Sequence, residues 1–187
     1  MIQIRHILTL GFIALCTQLC AGNFVIDSSH SVLAVDVRAS PPHSFICSAK
    51  EFEVDIQINP QTLDLQAATC SFSFESLDSE KPKRDKNMRD WINTTHYPKA
   101  QFELTNVRQN EIDGTLVGVG QFSMHGVSRE IEVPFTIRRE GKKIILDGQA
   151  ELDTTQWDLE IIRIFFFSVK PIIQPHFHLQ GTLTNDA

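Results

Sequence analysis

Two imidazoles stand one residue apart at His176-Phe177-His178, and along a strand such positions share a face. With His125 or a carboxylate they could form a three-ligand metal site. No third ligand lies at a telling spacing, so the pair reads as surface residues and no metal is expected. His30, in Ser29-His30-Ser31, and His125, before Gly126, sit beside small residues at strand ends or turns. Either could hydrogen-bond a ligand head group or act as a base, and either could simply cap its turn. Arg84-Asp85 and Arg89-Asp90 flank a short helical stretch. Such charges usually form solvated local pairs, but an Arg at a pocket mouth holds an anionic group well. The sequence has no Gly-x-Ser-x-Gly elbow, no Gly-rich phosphate loop, no Cys-x-x-Cys and no His-Glu-x-x-His. No catalytic residue and no cofactor is therefore expected.

The elements that would position these groups begin after a leader. Arg5 and His6 precede an uncharged apolar run, Ile7 to Leu15, and small residues at Ala21-Gly22, which is the pattern of a secretory signal peptide over 1–22. The run is too short for a bilayer-spanning helix, which needs about 20 residues. Cys16 and Cys20 follow Leu, where a lipoprotein signal prefers a small residue. The 187 residues carry 17 Lys and Arg against 23 Asp and Glu, a formal charge of −6. Removing the leader takes away one basic residue and no acidic one, leaving 23–187 as one more acidic domain. Nothing there attracts nucleic acid or an anionic membrane. A secreted or periplasmic product without an integral membrane segment is expected, with a homodimer left open. Cys47 and Cys70 remain after the leader, on strands expected to be neighbours. A disulfide and two buried free thiols are both open.

Period-two alternation dominates the rest. Leu33, Val35 and Val37 alternate with polar or small residues, as do Phe52, Val54, Ile56 and Ile58, and Ile131, Val133, Phe135 and Ile137. Turn signals at Asn59-Pro60-Gln61, Asp113-Gly114, His125-Gly126 and Glu140-Gly141 divide the runs. The pattern predicts eight long strands at 31–39, 44–59, 65–77, 100–108, 112–124, 128–140, 142–153 and 173–184. A short leading piece lies at 24–27, and a bend is expected at Ser48-Ala49-Lys50. One short helix is expected over Lys83 to Ile92, with Met88, Trp91 and Ile92 on one side. Phe165-Phe166-Phe167 reads as a rim or lid over a barrel end, or as a buried closing segment. The fold class is all-β, an extended eight-stranded antiparallel barrel. A barrel of that size is filled by side chains or encloses one slender ligand, and parity alone does not choose between them.

Several segments resemble the YceI-like proteins, described as polyisoprenoid-binding and lipocalin-like in fold. They are Val25-Ile26-Asp27-Ser28-Ser29-His30-Ser31, Phe52-Glu53-Val54-Asp55-Ile56, Arg84-Asp85 with Met88-Arg89, Tyr97-Pro98-Lys99-Ala100-Gln101-Phe102, and Gly120 through Arg129. The resemblance thins after residue 153. It implies a periplasmic barrel with a long-chain lipid or isoprenoid inside, and it supplies no catalytic residue. Strand parity assigns the cavity lining to Phe72, Phe74, Phe102, Leu104, Phe122, Met124, Val133 and Phe135. Arg84 and His125 are assigned to a head group at the mouth. The function expected is enclosure of an isoprenoid, quinone-like or fatty-acyl chain. Its rivals are a solid-core partner-binding module, a small lipid- or amide-processing enzyme with His30 or His125 as base, and an outer-membrane barrel.

Overall fold

Alternation becomes strand along most of the chain in the computed structural model, which describes residues 21–40, 43–164 and 167–185. The first half gives β1 (Gly22–Ile26), β2 (Val32–Ser40), β3 (His43–Ala49), β4 (Phe52–Ile58), β5 (Leu65–Ser73) and β6 (Leu77–Asp78). The helix α1 (Pro82–Ile92) follows. The second half gives β7 (Lys99–Gln109), β8 (Leu116–Met124), β9 (Val127–Glu140), β10 (Lys143–Gln149), β11 (Leu152–Asp153), β12 (Arg163–Ile164) and β13 (Phe167–Asn185). The leader expected over 1–22 lies almost wholly outside the described residues, as do Phe165 and Phe166 of the expected rim.

β1 pairs with both β4 and β13, and this closes a ring in the order β1-β4-β5-β7-β8-β9-β10-β13, an antiparallel barrel of eight. Two staves are made of successive pieces. β1 and β2 lie in line along β13, with Phe24 opposite Leu183 and Leu33 opposite Phe177. β4 pairs with β1 as β3 pairs with β2. A 3-10 turn at Ser28–His30 separates β1 from β2. The Asp27 carboxylate accepts from Ser29 N at 3.1 Å, and Asp27 N donates to Gln180 O at 2.7 Å, so the interruption is pinned to β13. The expected strand 44–59 breaks at Lys50-Glu51, where Lys50 N donates to Ser76 O at 2.9 Å instead of continuing a ladder.

Other boundaries move for local reasons. The strand expected from 112 begins at Leu116, because Asn110 O accepts from Gly114 N and Asp113 accepts from Thr115 N in the preceding turn. The stretch 142–153 divides into β10 and β11. The last strand starts at Phe167 and runs through Pro171 and Pro175, with a register shift between Val169 and Ile173 that accommodates the first proline. The helix forms where expected, with Pro82 in its first turn and Asn93 closing it at a φ of 58°.

Packed clusters flank the middle of the barrel. Toward one end Phe24, Ile56, Ile58, Ile144, Leu146 and Leu179 form a dense core. Toward the other, α1 lays Met88, Trp91 and Ile92 against Cys47, Phe74, Met124 and Trp157. Close strand approach needs glycine at Gly120, where a Cβ would stand 2.5 Å from Phe102 Cζ.

Candidate functional site

Between the two clusters the inward faces enclose an apolar cavity of about 380 Å³. Phe72 on β5, Phe74 just after it, Phe102 and Leu104 on β7, Phe122 and Met124 on β8, and Val133 and Phe135 on β9 all line it. Phe74, Met124 and Phe135 are buried, whereas Phe72, Phe102, Phe122 and Val133 remain half-accessible because they face a hollow. The opposite wall comes from Leu33, Val35 and Val37 on β2, Val54 and Ile56 on β4, and Phe177 on β13. Sequence reasoning did not assign this wall, although the alternation of Leu33, Val35 and Val37 carried the signal.

Polar groups gather at the helix end. Arg84 lines the cavity there, its guanidinium stacked over the Phe45 ring at 3.9 Å. Arg84 Nε donates to Ser79 Oγ at 2.8 Å. Ser79 in turn gives both its N–H, at 3.0 Å, and its hydroxyl to Asp85, whose carboxylate is buried. A buried carboxylate needs such donors, so Asp85 fixes Ser79 and Ser79 fixes the Arg84 fork. The Ser79 link was missed, since a Ser six residues before an Asp has no sequence signature. Trp91 Nε1 donates to Glu160 O at 2.7 Å and ties α1 to the segment before β12.

His125 does not reach the cavity, which corrects its assignment to the head group. It occupies the β8–β9 turn at a φ of 51°, followed by Gly126 at 75°, the paired left-handed conformations of a two-residue hairpin. Its Nδ1–H donates to Trp157 O at 3.0 Å, and its ring centroid lies 4.3 Å from that of Tyr97. His30 is exposed on the other interruption, with Nδ1 2.9 Å from the Asp27 carboxylate. His176 and His178 share the outer face of β13. His178 donates to Asp147 at 2.6 Å and His176 lies 3.2 Å from Asp36. His125 is on another part of the barrel, and among the described residues no cluster of three His, Cys, Asp or Glu could hold a metal.

Cys47 and Cys70 are free thiols lining the same cavity. The disulfide alternative fails on topology. Cys47 lies on β3 opposite Val35, whereas Cys70 lies on β5 between Val54 and Phe102, so the two strands are not paired. Burial pushes the Cys47 thiol up to about 11, with the neighbouring Asp85 carboxylate adding to it, and burial alone takes Cys70 to about 11.

A closed antiparallel barrel with one helix at its end and an apolar hollow inside defines the lipocalin-like class of architecture. The chain belongs to the YceI-like family, whose domain model matches residues 24–183. Similar proteins include a UPF0312 protein of Photorhabdus laumondii, 26% identical over 66% of this chain and 72% of its own length. A UPF0312 protein of Vibrio cholerae is 22% identical over 86% of this chain and 87% of its own. Among solved structures, Burkholderia cenocepacia BcnA matches 84% of this chain and all of its own with a TM-score of 0.74 at 17% identity. A polyisoprenoid binding domain from Saccharophagus degradans, implicated in plant cell wall breakdown, matches 89% of this chain and all of its own at 0.62 and 13% identity.

Proposed function

We propose that this protein is a periplasmic or secreted carrier that encloses one long apolar chain, isoprenoid, quinone-like or fatty-acyl, and holds its polar end at Arg84. The observation that carries the reading is the cavity wall, built from aromatic and aliphatic side chains of most staves with polar groups concentrated at the helix end. Its volume falls in the range of small-molecule sites, roughly 300–1,000 Å³. A tail gains about 0.8 kcal/mol for each CH₂ it buries, so ten carbons offset a substantial ordering cost without a covalent anchor. The polyisoprenoid-binding description of the Saccharophagus domain supports the ligand class. The apolar run behind Arg5 and His6 supports export.

Geometry lends the rivals less support. A hydrolytic base at His30 or His125 would have to face the cavity, and neither does. A solid-core module would leave no hollow. An outer-membrane barrel needs an apolar outer band, whereas Glu51, Glu53 and Asp55, and likewise Glu130 and Glu132, are exposed on the outside. Among the described residues, no helix is long and apolar enough to cross a membrane.

Titration with hexadecanoate and hexadecanol, read by the intrinsic fluorescence of Trp91 and Trp157, tests the proposal. Both chains are expected to bind. Phe102→Asp should abolish both, and Arg84→Gln should weaken only the acid, by about tenfold or roughly 1.4 kcal/mol. Absence of binding, or binding indifferent to Phe102→Asp, would defeat the reading.

A further inference from the structure

One seam of the barrel lacks backbone hydrogen bonds over half its length. The β9–β10 ladder ends at Phe135 opposite Gly148, while β9 stays paired with β8 as far as Val127. Residues 127–134 of β9 therefore have no strand on their second edge among the described residues. Past Gly148 the chain leaves β9 and follows β13. Ala150 N donates to Pro175 O at 2.9 Å, and Leu152 lies opposite Ile173. Pro134, which has no N–H for a ladder, sits at the parting, as prolines do on strand edges. The far end is closed again by the turn at Thr154–Trp157, where Arg129 Nε donates to Gln156 O at 3.1 Å.

Side chains alone fill the fissure. Phe135 and Phe177 face the ligand cavity on one side, and on the other an outer groove walled by Thr136, Asp147, Gln149 and His176. Gly148 lets the Phe177 ring lie across the seam, since a Cβ there would overlap it. Outer-face contacts divide the wall into two panels. His176 with Asp36 and His178 with Asp147 join β2, β13 and β10 into one. Arg138 of β9 meets Asp147 in the paired half, whereas among the described residues the unpaired half has no ion pair across it, and Arg129–Gln156 ties only its far end.

The two barrel ends are harder to open. One is the dense core around Ile58 and Ile144. At the other, lifting α1 breaks the Trp91–Glu160 bond and exposes the Asp85–Ser79–Arg84 chain, whose buried groups would lose their partners. Opening the fissure beside Gly148 needs rotation of two phenyl rings and leaves the Arg129–Gln156 bond at its far end in place.

We propose that the ligand enters and leaves laterally, through the fissure between β9 and β10 gated by Phe135 and Phe177, while the helix end stays shut around the head group. The inference rests on the carrier reading. A gate changes the barrier between two states without changing the states, so a plug in the outer groove should slow entry and exit equally.

Stopped-flow uptake and displacement of cis-parinaric acid, a linear fatty acid that fluoresces on burial, tests this with Gln149→Trp and, as a second plug, Thr136→Trp. Both positions are exposed and line the groove, not the cavity. Either plug should slow both rates at least tenfold and leave the equilibrium constant within about twofold. Lys83→Trp, exposed at the helix end and off the cavity wall, should change neither rate by more than about twofold. Slowing by Lys83→Trp with no effect of the groove plugs would overturn the lateral route in favour of the helix end. Failure of the unmodified protein to take up the probe would instead overturn the carrier reading, and the route with it.

Discussion

At the scale of single residues, two thiols on the cavity wall, Cys47 buried and Cys70 half-buried, bear on how polar the cavity is. Cys47 and Cys70 are held neutral by burial, both raised from 9.0 to about 11. A group whose pKa is raised by folding stabilises the fold below its unfolded pKa and loses that contribution as pH rises through the folded value. The urea midpoint should therefore fall between pH 9 and about 11 by more than in a Cys47→Ser/Cys70→Ser protein. Equal slopes in the two proteins would show that the thiols do not titrate as buried groups. The same burial makes them poor nucleophiles near neutrality, so they act as small apolar lining. Strand parity turned Phe72, Phe102, Leu104, Phe122, Met124, Val133 and Phe135 inward, where the structure has them, whereas Phe74 reaches the cavity from the 3-10 turn after β5. His125 was misplaced because a residue in a turn no longer obeys strand parity. Its left-handed φ sends the ring to Tyr97 and Trp157.

At the scale of elements, alternation located nearly every stave, the gap between 27 and 31, and the bend near Ser48-Ala49-Lys50. What pins those two breaks was not legible, because it depends on partners far away in sequence, Gln180 and Ser76, which no local window contains. β13 was read as starting at 173 because Pro171 argues against a strand, and only the register shift between Val169 and Ile173 explains its tolerance. Close packing between staves gives a direct test. Gly120→Val would drive a side chain into the Phe102 ring and should cost about 1–3 kcal/mol by overpacking, seen as a lower urea midpoint. Pairing Gly120→Val with Phe102→Ala should return part of that loss. A fully stable Gly120→Val protein would contradict the packing described between β7 and β8.

At the scale of the whole molecule, a continuous hydrophobic core is replaced by two packed ends and a hollow between them. The sequence could not choose between hollow and solid, because inward Phe, Leu, Ile and Val suit both. The choice lies in barrel girth, set by eight staves and by the panels that part at the β9–β10 seam. Polar groups at one end, held by Asp85 and Ser79, orient what enters. Native mass spectrometry of the protein purified without detergent, followed by solvent extraction, measures the outcome. An occupied cavity should give a discrete mass above that of the chain, recovered in the extract as one class of long-chain lipid. A clean apo mass that stays unchanged after incubation with isoprenoid or fatty acid would contradict it.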